Sequence, residues 1–441
     1  MLLQAGCSGE LRVVLAIALL LLIWLSYTIF LRHRSPYPLP PGPPGKFLVG
    51  NLGQLSGHPE QDYIRWGKHY IKTFRPLQTH EARKAVRALL SNPDDWRETT
   101  LLLTTSVIFR IAYGQEIKQR DSPYTAMAHA ANNATTNGGI AGSSIVDIFP
   151  LARYFLPSRL STPLQHARDS RESIKTIHEV PWADNMRDIE AGTATPSFMR
   201  THWERYVANK KAGVQQETTV ADLKGATAAV FIAGGNSTWG TVLSAMLFLT
   251  KYPEAQRRVQ AEIDEVVSTH RLPTFDDRPS LKYLHDFLSE VMRALPLNPL
   301  VIPHQSIKDD VYNGMFIPAG TVVFANAKAM CSNPETYRDP DRFDPDRYAR
   351  GEPYPVGNFG FGRRKCPGNH LALASVYIFL ATLLSTFDVE KVVGPDGRVV
   401  EPMAELTVGL GGHPAPFECK LKLRSPERAQ LLDGDDHEGE D

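Results

Sequence analysis

Apolar residues recur at intervals of three and four positions through a large part of the chain. The pattern runs from Phe74 to about Val267 and is clearest in residues 85–90, 101–111 and 223–249. Such spacing gathers apolar side chains on one face of a helix, which can then pack against a core. The pattern therefore predicts that most of this region is helical.

Shorter apolar segments with turn residues follow in the last third of the chain. In residues 311–324, two short apolar runs flank Asn313 and Gly314, a pair that is typical of a tight hairpin turn. This pattern predicts a β-hairpin beside the helices. We therefore expect a mainly α fold with small β-sheets.

The strongest compositional signal lies near the N-terminus. Residues 13–31 form a run without a charged side chain, close to the ~20 residues that a helix needs to cross a bilayer. Arg32, His33 and Arg34 follow, and this positive charge predicts that the C-terminal side faces the cytosol. A signal peptide is the alternative, but its positive charge would precede a shorter apolar stretch. We expect a transmembrane anchor after a short lumenal tail, residues 1–12.

Composition divides the rest of the chain into a linker, a body and a tail. Residues 32–46 are basic and rich in proline, which predicts an extended, semi-rigid linker. Residues 47–425 are expected to form the folded body of the protein. Residues 426–441 end in a mostly acidic run, and we expect them to be a disordered tail.

Charge and cysteine content exclude some classes of function. The 441 residues include 48 Lys or Arg and 48 Asp or Glu, so no net charge favours binding to nucleic acid. The cysteines Cys7, Cys331, Cys366 and Cys419 lie far apart and form no Cys-x-x-Cys pair. This spacing argues against a structural zinc site or a disulfide framework and favours a reducing compartment.

A glycine-rich segment carries the strongest chemical signal. Residues 359–368 read Phe-Gly-Phe-Gly-Arg-Arg-Lys-Cys-Pro-Gly and precede a helical apolar pattern. Cys366 is therefore expected at a helix N-terminus, where backbone N–H groups and the helix dipole stabilise a thiolate that can bind iron. Gly362 and Gly368 allow tight turns and the close approach of a flat cofactor. For a cysteine considered alone, a buried free thiol in a turn is the alternative.

This segment resembles the ligand loop of the cytochrome P450 family, whose pattern is Phe-x-x-Gly-x-Arg-x-Cys-x-Gly. The matching residues are Phe359, Gly362, Arg364, Cys366 and Gly368. The resemblance implies a haem cofactor (heme b) with Cys366 as its axial iron ligand. It also implies that Arg364 pairs with a haem propionate, although a solvated surface charge is the alternative for this residue.

Two further motifs follow in the order that the family has. Glu290 and Arg293 match its Glu-x-x-Arg motif, and residues 343–348, which include Arg347, are similar to its Phe-x-Pro-Glu-Arg-Phe element. The resemblance implies that these three charged side chains form one buried ion network that supports the haem loop. It also suggests that His304 meets a propionate, and a hydrogen-bonded structural histidine is equally expected.

A fourth motif lies within the long apolar pattern of residues 223–249. Residues 233–238 read Ala-Gly-Gly-Asn-Ser-Thr and are similar to the family's Ala-Gly-x-Asp-Thr-Thr. Glycine weakens a helix interior by roughly 1 kcal/mol relative to alanine, and the resemblance explains the two glycines by a groove for dioxygen. It implies that Asn236 and Ser237 stand where the family relays protons, with Thr238 as a further hydroxyl. Because asparagine cannot ionise, relay through water or through a different acid is implied. A kinked core helix is the alternative.

One part of the family pattern is missing. The resemblance covers the anchor, the linker and nearly everything from Phe74 to about Pro402, with residues 271–281 typical of fungal microsomal members. Only 21 residues separate Leu52 from Phe74, where the family has strands, a substrate-contacting loop and a helix with a Trp-x-x-x-Arg haem clamp. We therefore assign no clamp residue and expect this chain to bind haem incompletely.

The resemblance implies a monooxygenase of secondary metabolism that uses O2 to oxidise small apolar substrates. The chain has no Gly-x-Gly-x-x-Gly after a strand and no phosphate loop, so electrons are expected from a separate NADPH-cytochrome P450 reductase. We expect a single-pass protein of the endoplasmic reticulum membrane with a cytosolic catalytic body. The alternatives are a non-catalytic haem protein and a truncated product that cannot close its haem pocket.

Overall fold

The computed structural model describes most of the chain after its N-terminal region. The described residues are 70–117, 122–139, 144–149, 151–157, 161–213, 218–407, 409 and 411–433. They belong to two compact units, and residues 304–323 are the described part of the smaller one. The predicted tail, anchor and linker at residues 1–46 lie outside the described residues.

The larger unit is mainly helical, which confirms the prediction from the apolar spacing. Its described α-helices are α1 (Arg75–Ser91), α2 (Trp96–Tyr113), α3 (Pro123–Thr136), α4 (Ile145–Ile148), α5 (Ala152–Phe155), α6 (Thr162–Asp169), α7 (Arg171–Ala191), α8 (Phe198–Lys211), α9 (Val220–Lys251), α10 (Pro253–Val267), α11 (Lys282–Ala294), α12 (Ala327–Cys331), α13 (Asn369–Thr386) and α14 (Pro426–Asp433). Short 3-10 helices cover Tyr70–Phe74, Pro93–Asp95, Pro345–Arg347 and Gly362–Arg364.

Helix α9 is the longest helix of the described residues and runs through the core. A capping box fixes its start: the backbone N–H of Asp222 donates to Thr219 Oγ1 at 3.1 Å, and the Asp222 carboxylate accepts from the Thr219 N–H at 2.8 Å. Every residue from 242 to 250 is buried, and the main packing partner of α9 is α2. The polar residues 236–238 are therefore held on a fixed helix next to the core.

Helix α13, which follows the glycine-rich loop, is a second apolar element of the core. Its residues 374–386 are all buried. Within the described ranges, α13 alone is long and apolar enough to cross a membrane, but 72% of this segment is buried inside the protein. Its position in the core explains its composition, because an interior helix needs apolar side chains on all faces.

The smaller unit contains the predicted hairpin. Its strands β1 (His304–Gln305) and β4 (Val322–Val323) pair antiparallel, as do β2 (Asp310–Tyr312) and β3 (Met315–Ile317). Asn313 and Gly314 connect β2 to β3 with φ angles of 49° and 75°. Both angles lie in the left-handed region, which asparagine and glycine adopt most readily in a two-residue hairpin turn. The hairpin and its turn residues are therefore confirmed.

The C-terminal residues of the larger unit correct one prediction. Strands β5 (Phe387–Glu390) and β6 (Lys420–Leu423) pair antiparallel, and helix α14 follows at Pro426–Asp433. In α14, Leu432 is fully buried, and Arg428 Nη2 lies 2.7 Å from Asp264 Oδ1 on α10. The prediction that a disordered tail begins at residue 426 is wrong, because these contacts anchor α14 to the core. Residues 434–441 lie outside the described residues.

Candidate active site

The glycine-rich loop folds back on itself directly before α13. Gly362 has a φ of 57°, a left-handed conformation that favours glycine. The backbone N–H of Cys366 donates to the carbonyl of Phe359 at 2.8 Å and closes the loop. Phe359 is half-buried, whereas Cys366 is exposed. The loop therefore presents the cysteine at a defined position next to a helix N-terminus.

The sulfur of Cys366 is accessible and receives hydrogen bonds. The backbone N–H groups of Gly368 and Asn369 donate to it. Desolvation by the surrounding protein raises the pKa of the Cys366 thiol, and the two N–H donors oppose this rise because they favour the thiolate. The positive end of the α13 dipole acts in the same direction as the donors. This arrangement suits a sulfur that binds a metal from outside the protein core.

The other described cysteines lack this arrangement. Cys331 is fully buried and Cys419 is 7% exposed. Burial raises the pKa of both thiols, and it raises the pKa of Cys419 to about 12. A desolvated thiol in apolar surroundings stays protonated and inert. Among the described residues, Cys366 is therefore the one exposed free cysteine.

A buried glutamine that the sequence analysis missed holds the first turns of α13. Gln78 on α1 is 1% exposed, and its Nε2 donates to the Leu371 carbonyl at 2.9 Å and to Ser375 Oγ at 2.7 Å. These bonds fix the helix that follows Cys366 against α1. The sequence offered one sign of this role, because Gln78 lies one helical turn before Ala82 and so falls on the apolar face of α1.

The structure brings Glu290, Arg293 and Arg347 together in the interior. Their exposed fractions are 0%, 1% and 0%. Arg293 Nε and Nη2 donate to the two carboxylate oxygens of Glu290, each at 2.8 Å, and Arg347 Nε donates to Glu290 Oε1 at 3.0 Å. These contacts keep each buried charge paired and hydrogen-bonded, as burial requires. We call these three residues the Glu290 network.

Neighbouring groups that the sequence did not reveal complete the Glu290 network. The hydroxyl of Tyr348 donates to Glu290 Oε2 at 3.0 Å, and the backbone N–H of Asp344 donates to Oε1 at 2.9 Å. Arg347 Nη1 donates to Glu352 Oε2 at 2.7 Å. The Glu352 carboxylate therefore balances the guanidinium of Arg347, while Glu290 balances that of Arg293. Tyr348 belongs to the motif at residues 343–348, but its partner became clear only from the fold.

Backbone contacts connect the Glu290 network to the segment that enters the ligand loop. Arg293 Nη1 donates to the Cys331 carbonyl at 2.8 Å, and Cys331 Sγ lies 3.7 Å from the Val356 carbonyl. The next residue, Gly357, packs so closely that a Cβ there would lie 3.0 Å from the ring of Phe361. The network therefore supports residues 356–361 through Cys331.

The three adjacent polar residues of α9 point in different directions. Asn236 Nδ2 donates to Thr135 Oγ1 on α3 at 2.9 Å. Ser237 is exposed, and its hydroxyl donates to the Ala233 carbonyl one turn earlier at 2.7 Å. Thr238 is 6% exposed and faces the interior. Of the three predicted relay residues, Ser237 is the exposed one.

Gly234, which the sequence analysis linked to a dioxygen groove, has a packing role in the structure. A Cβ at this position would lie 2.6 Å from both Cδ1 and Cγ1 of Ile108 on α2. Because real Cβ atoms do not approach a side chain so closely, a larger residue at position 234 would force Ile108 to shift or α2 and α9 to separate. Close helix packing therefore accounts for this mid-helix glycine.

The two residues predicted to meet haem propionates belong to different units. Arg364 is exposed and ends the 3-10 helix Gly362–Arg364, in the same loop as Cys366. His304 is exposed and begins β1 of the smaller unit. Of these two predicted propionate partners, the larger unit by itself therefore combines Arg364 with the cysteine.

The residues of the larger unit fit a flat, anionic cofactor that binds through a thiolate. Cys366 offers an accessible sulfur with two backbone donors, and Arg364 adds an exposed positive charge. The exposed positions in the middle of α9 carry small side chains, namely Ala226, Ala229, Ala233 and Ser237. Their spacing of three and four places them on one face, which a planar group can approach closely. This set of features agrees with a haem-thiolate site.

Comparisons with known proteins lead to the same class. The model of the cytochrome P450 family matches residues 72–421. Cytochrome P450 monooxygenase 208 of Postia placenta is 35% identical over 374 residues, which cover 83% of this chain and 71% of that protein. Tryptamine 4-monooxygenase of Psilocybe cyanescens is 34% identical over 375 residues, 82% of this chain and 73% of that protein. This chain belongs to the cytochrome P450 family, and these relatives are monooxygenases by name.

A third relative bears on the missing segment. A cytochrome P450 monooxygenase of Armillaria gallica is 28% identical over 504 aligned residues, which cover 95% of this chain and 98% of that protein. Because the alignment is longer than the 441 residues of this chain, the relative has residues without a counterpart here. This agrees with a missing internal segment, and its location between about residues 52 and 74 stays a prediction.

Proposed function

We propose that this chain is a haem-thiolate monooxygenase that inserts one oxygen atom of O2 into a small apolar organic substrate, with Cys366 as the axial ligand of heme b. The Cys366 sulfur carries the proposal, because it is exposed and accepts two backbone hydrogen bonds at a helix N-terminus. Membership of the cytochrome P450 family supports the reaction class.

Haem, when bound, supplies the activation of O2, while the chain supplies the ligand, the compensating charge and the protons. Cys366 provides the thiolate, and Phe359, Gly362 and Gly368 shape the loop around it. Arg364 offers its guanidinium to a propionate, and His304 offers an imidazole. The Glu290 network keeps residues 356–361 in place and has a structural role.

Proton delivery is assigned to Ser237. Its hydroxyl is exposed and carries a proton that it now donates to the Ala233 carbonyl, so a rotation about one side-chain bond redirects that proton. Asn236 has no ionisable proton and is held by Thr135, which gives it an orienting role. Thr238 is buried beside them and is the further hydroxyl in this stretch of α9.

The first experiment measures haem content and turnover together. We expect the detergent-purified chain to contain haem at less than one group per chain, and a variant with a relative's segment inserted after Leu52 to contain more. With NADPH, O2 and a cytochrome P450 reductase, haem-loaded protein should oxidise a member of a panel of terpenoids, fatty acids and aromatic compounds. The panel includes tryptamine, which one relative oxidises according to its name.

The outcomes separate the alternatives. Haem-loaded protein that oxidises no panel member with the reductase would favour the non-catalytic haem protein. Absence of haem from both the original chain and the extended variant would favour the truncated product. Near-stoichiometric haem in the original chain would show that the fold tolerates the missing segment.

The proposed location is the endoplasmic reticulum membrane, with the catalytic body in the cytosol. Support comes from the uncharged run at residues 13–31 and the basic residues that follow it. The full chain should resist alkaline carbonate extraction, and deletion of residues 1–31 should weaken its membrane association. Release of the full chain by carbonate would contradict an integral anchor, and protection of the body from added protease would contradict the cytosolic orientation.

A further inference from the structure

A narrow cleft lies between α2, α3 and α9, and Asn236 is among the residues that line it. Its walls are mostly apolar, with Leu101, Ala131 and Phe231 among the lining residues, and its polar lining residues are Thr105 and Asn236. Thr105 is 1% exposed. Among the described residues, neither Thr105 Oγ1 nor Asn236 Oδ1 has a hydrogen-bond partner, although both atoms are buried.

The orientation of the Asn236 amide follows from its neighbour. Thr135 Oγ1 lies 2.9 Å from the Ala131 carbonyl and 3.0 Å from the Asn132 carbonyl, and a carbonyl oxygen can only accept. The single proton of the Thr135 hydroxyl is therefore used there, so Thr135 must accept from Asn236. The NH2 group of Asn236 faces Thr135 at 2.9 Å, and its carbonyl oxygen is the amide atom left for the cleft.

The adjacent threonine of α2 does have a hydrogen-bond partner, so the unpaired hydroxyl of Thr105 is not a general property of threonine in this helix. Thr104 is also buried, but its hydroxyl donates to the Leu101 carbonyl at 3.1 Å. Buried polar atoms are almost always hydrogen-bonded to protein or to ordered water, and a buried water needs two or more polar partners. Thr105 and Asn236 provide two partners at one cleft.

We infer that this cleft is a binding site for an ordered water molecule held between Thr105 Oγ1 and Asn236 Oδ1. The water donates to the amide oxygen of Asn236 and either donates to or accepts from the hydroxyl of Thr105. Asn236 is thereby fixed on both sides, by Thr135 and by the water. Resting on the proposed function, Thr105 is a positioning residue that acts through this water on Asn236, which precedes Ser237 in the chain and replaces the ionisable acid of the family.

The direct test is a crystal structure of the full chain at a resolution that shows ordered water. We expect a water within ~2.7–3.2 Å of both Thr105 Oγ1 and Asn236 Oδ1. A protein group bonded to either atom, or a cleft without water, would overturn the inference. This result does not depend on haem content or on turnover, so it can fail while the proposed function holds, and the reverse is also true.

Thermal unfolding gives a second test, because the water site predicts the direction in which the melting temperature of Thr105→Val changes. Thr105→Val keeps the shape but removes the hydroxyl, so it should lower the melting temperature if the hydroxyl binds water and raise it if the hydroxyl is dry and unpaired. Thr104→Val is the matched control in the same helix and should change the melting temperature less. Thr105→Ser keeps the hydroxyl and the water. A melting temperature of Thr105→Val above that of the original chain would contradict the site.

A double-variant comparison tests whether both side chains hold the same molecule. Asn236→Leu should cost less stability in the Thr105→Val background than in the original chain, because the shared water is already lost. Additive losses would show that the two groups do not share a ligand. In haem-loaded protein supplied with reductase, Thr105→Val should raise the fraction of reducing equivalents released as peroxide, and Thr105→Ser should restore it. An unchanged fraction in Thr105→Val would remove the positioning role.

Discussion

Replacement of Glu290 by glutamine tests how strongly the Glu290 network stabilises the fold. The carboxylate is fully buried and accepts hydrogen bonds from Arg293, Arg347, Tyr348 and the backbone of Asp344 at 2.8 to 3.0 Å. Glutamine keeps the shape, but it has one acceptor oxygen and no charge. Its NH2 group must face donors, so several of these bonds are lost.

The size of the stability loss in Glu290→Gln depends on which partners the guanidinium groups of Arg293 and Arg347 retain. Arg347 retains Glu352 at 2.7 Å. Among the described residues, the other hydrogen-bond partners of Arg293 are the backbone carbonyls of Cys331 and Arg342. Because loss of one partner leaves a buried charge without compensation, such changes cost about 3–5 kcal/mol. We expect a decrease of this size in the free energy of unfolding, with Arg293 as its main source.

The assay is urea unfolding followed by far-ultraviolet circular dichroism. Glu172→Gln is the matched control, because Glu172 pairs with Lys175 at the same three-residue spacing on a helix surface, where both side chains are well exposed. Exposed pairs contribute about 0–1 kcal/mol. If Glu290→Gln lost no more stability than Glu172→Gln, the reasoning about burial would be refuted.

Two further predictions concern α9 and its contacts. Gly234→Ala should lower the melting temperature because its Cβ would overlap Ile108. The loss caused by Gly234→Ala should be smaller when it is measured in an Ile108→Ala background. Gly225→Ala, at an open position of the same helix, should raise the melting temperature, and equal shifts at the two glycines would contradict the packing argument. Burial holds the pKa of His413 below its ordinary value of 6.5. Below about pH 6.5 the unfolded chain therefore binds more protons than the folded chain, so the free energy of unfolding should fall as the pH drops. His413→Phe keeps an aromatic ring against Trp239 and should weaken this dependence in a pH series of urea titrations; an unchanged slope would contradict it.

Spacing and motif order predicted the charged network well. Glu290 and Arg293 lie three residues apart on a helix, so they share one face in any helical arrangement. Arg347 lies far along the chain, and its approach to Glu290 came from the resemblance rather than from local pattern. The burial of both arginines was likewise implied by the resemblance, and spacing alone could not show it, because burial depends on the elements that cover them.

The directions of the polar side chains in α9 were beyond the sequence. Asn236, Ser237 and Thr238 are consecutive, and their helical positions differ by about 100° each, but which face meets α3 and which stays exposed depends on packing. The role of Gln78 was hidden for the same reason. The helix α14 was missed because acidic composition dominated the prediction, whereas the burial of Leu432 and the ion pair of Arg428 with Asp264 anchor this helix.

The proposed function depends most directly on the assignment of Cys366 as the haem ligand. The measurement is the absorption spectrum of the reduced, detergent-purified protein with carbon monoxide, for the original chain, for Cys366→Ser and for Cys419→Ala as a matched cysteine control. We expect the red-shifted Soret band of thiolate-ligated haem in the original chain and in Cys419→Ala, and its loss in Cys366→Ser. The same band in Cys366→Ser, or its loss in Cys419→Ala with haem still bound, would contradict the assignment.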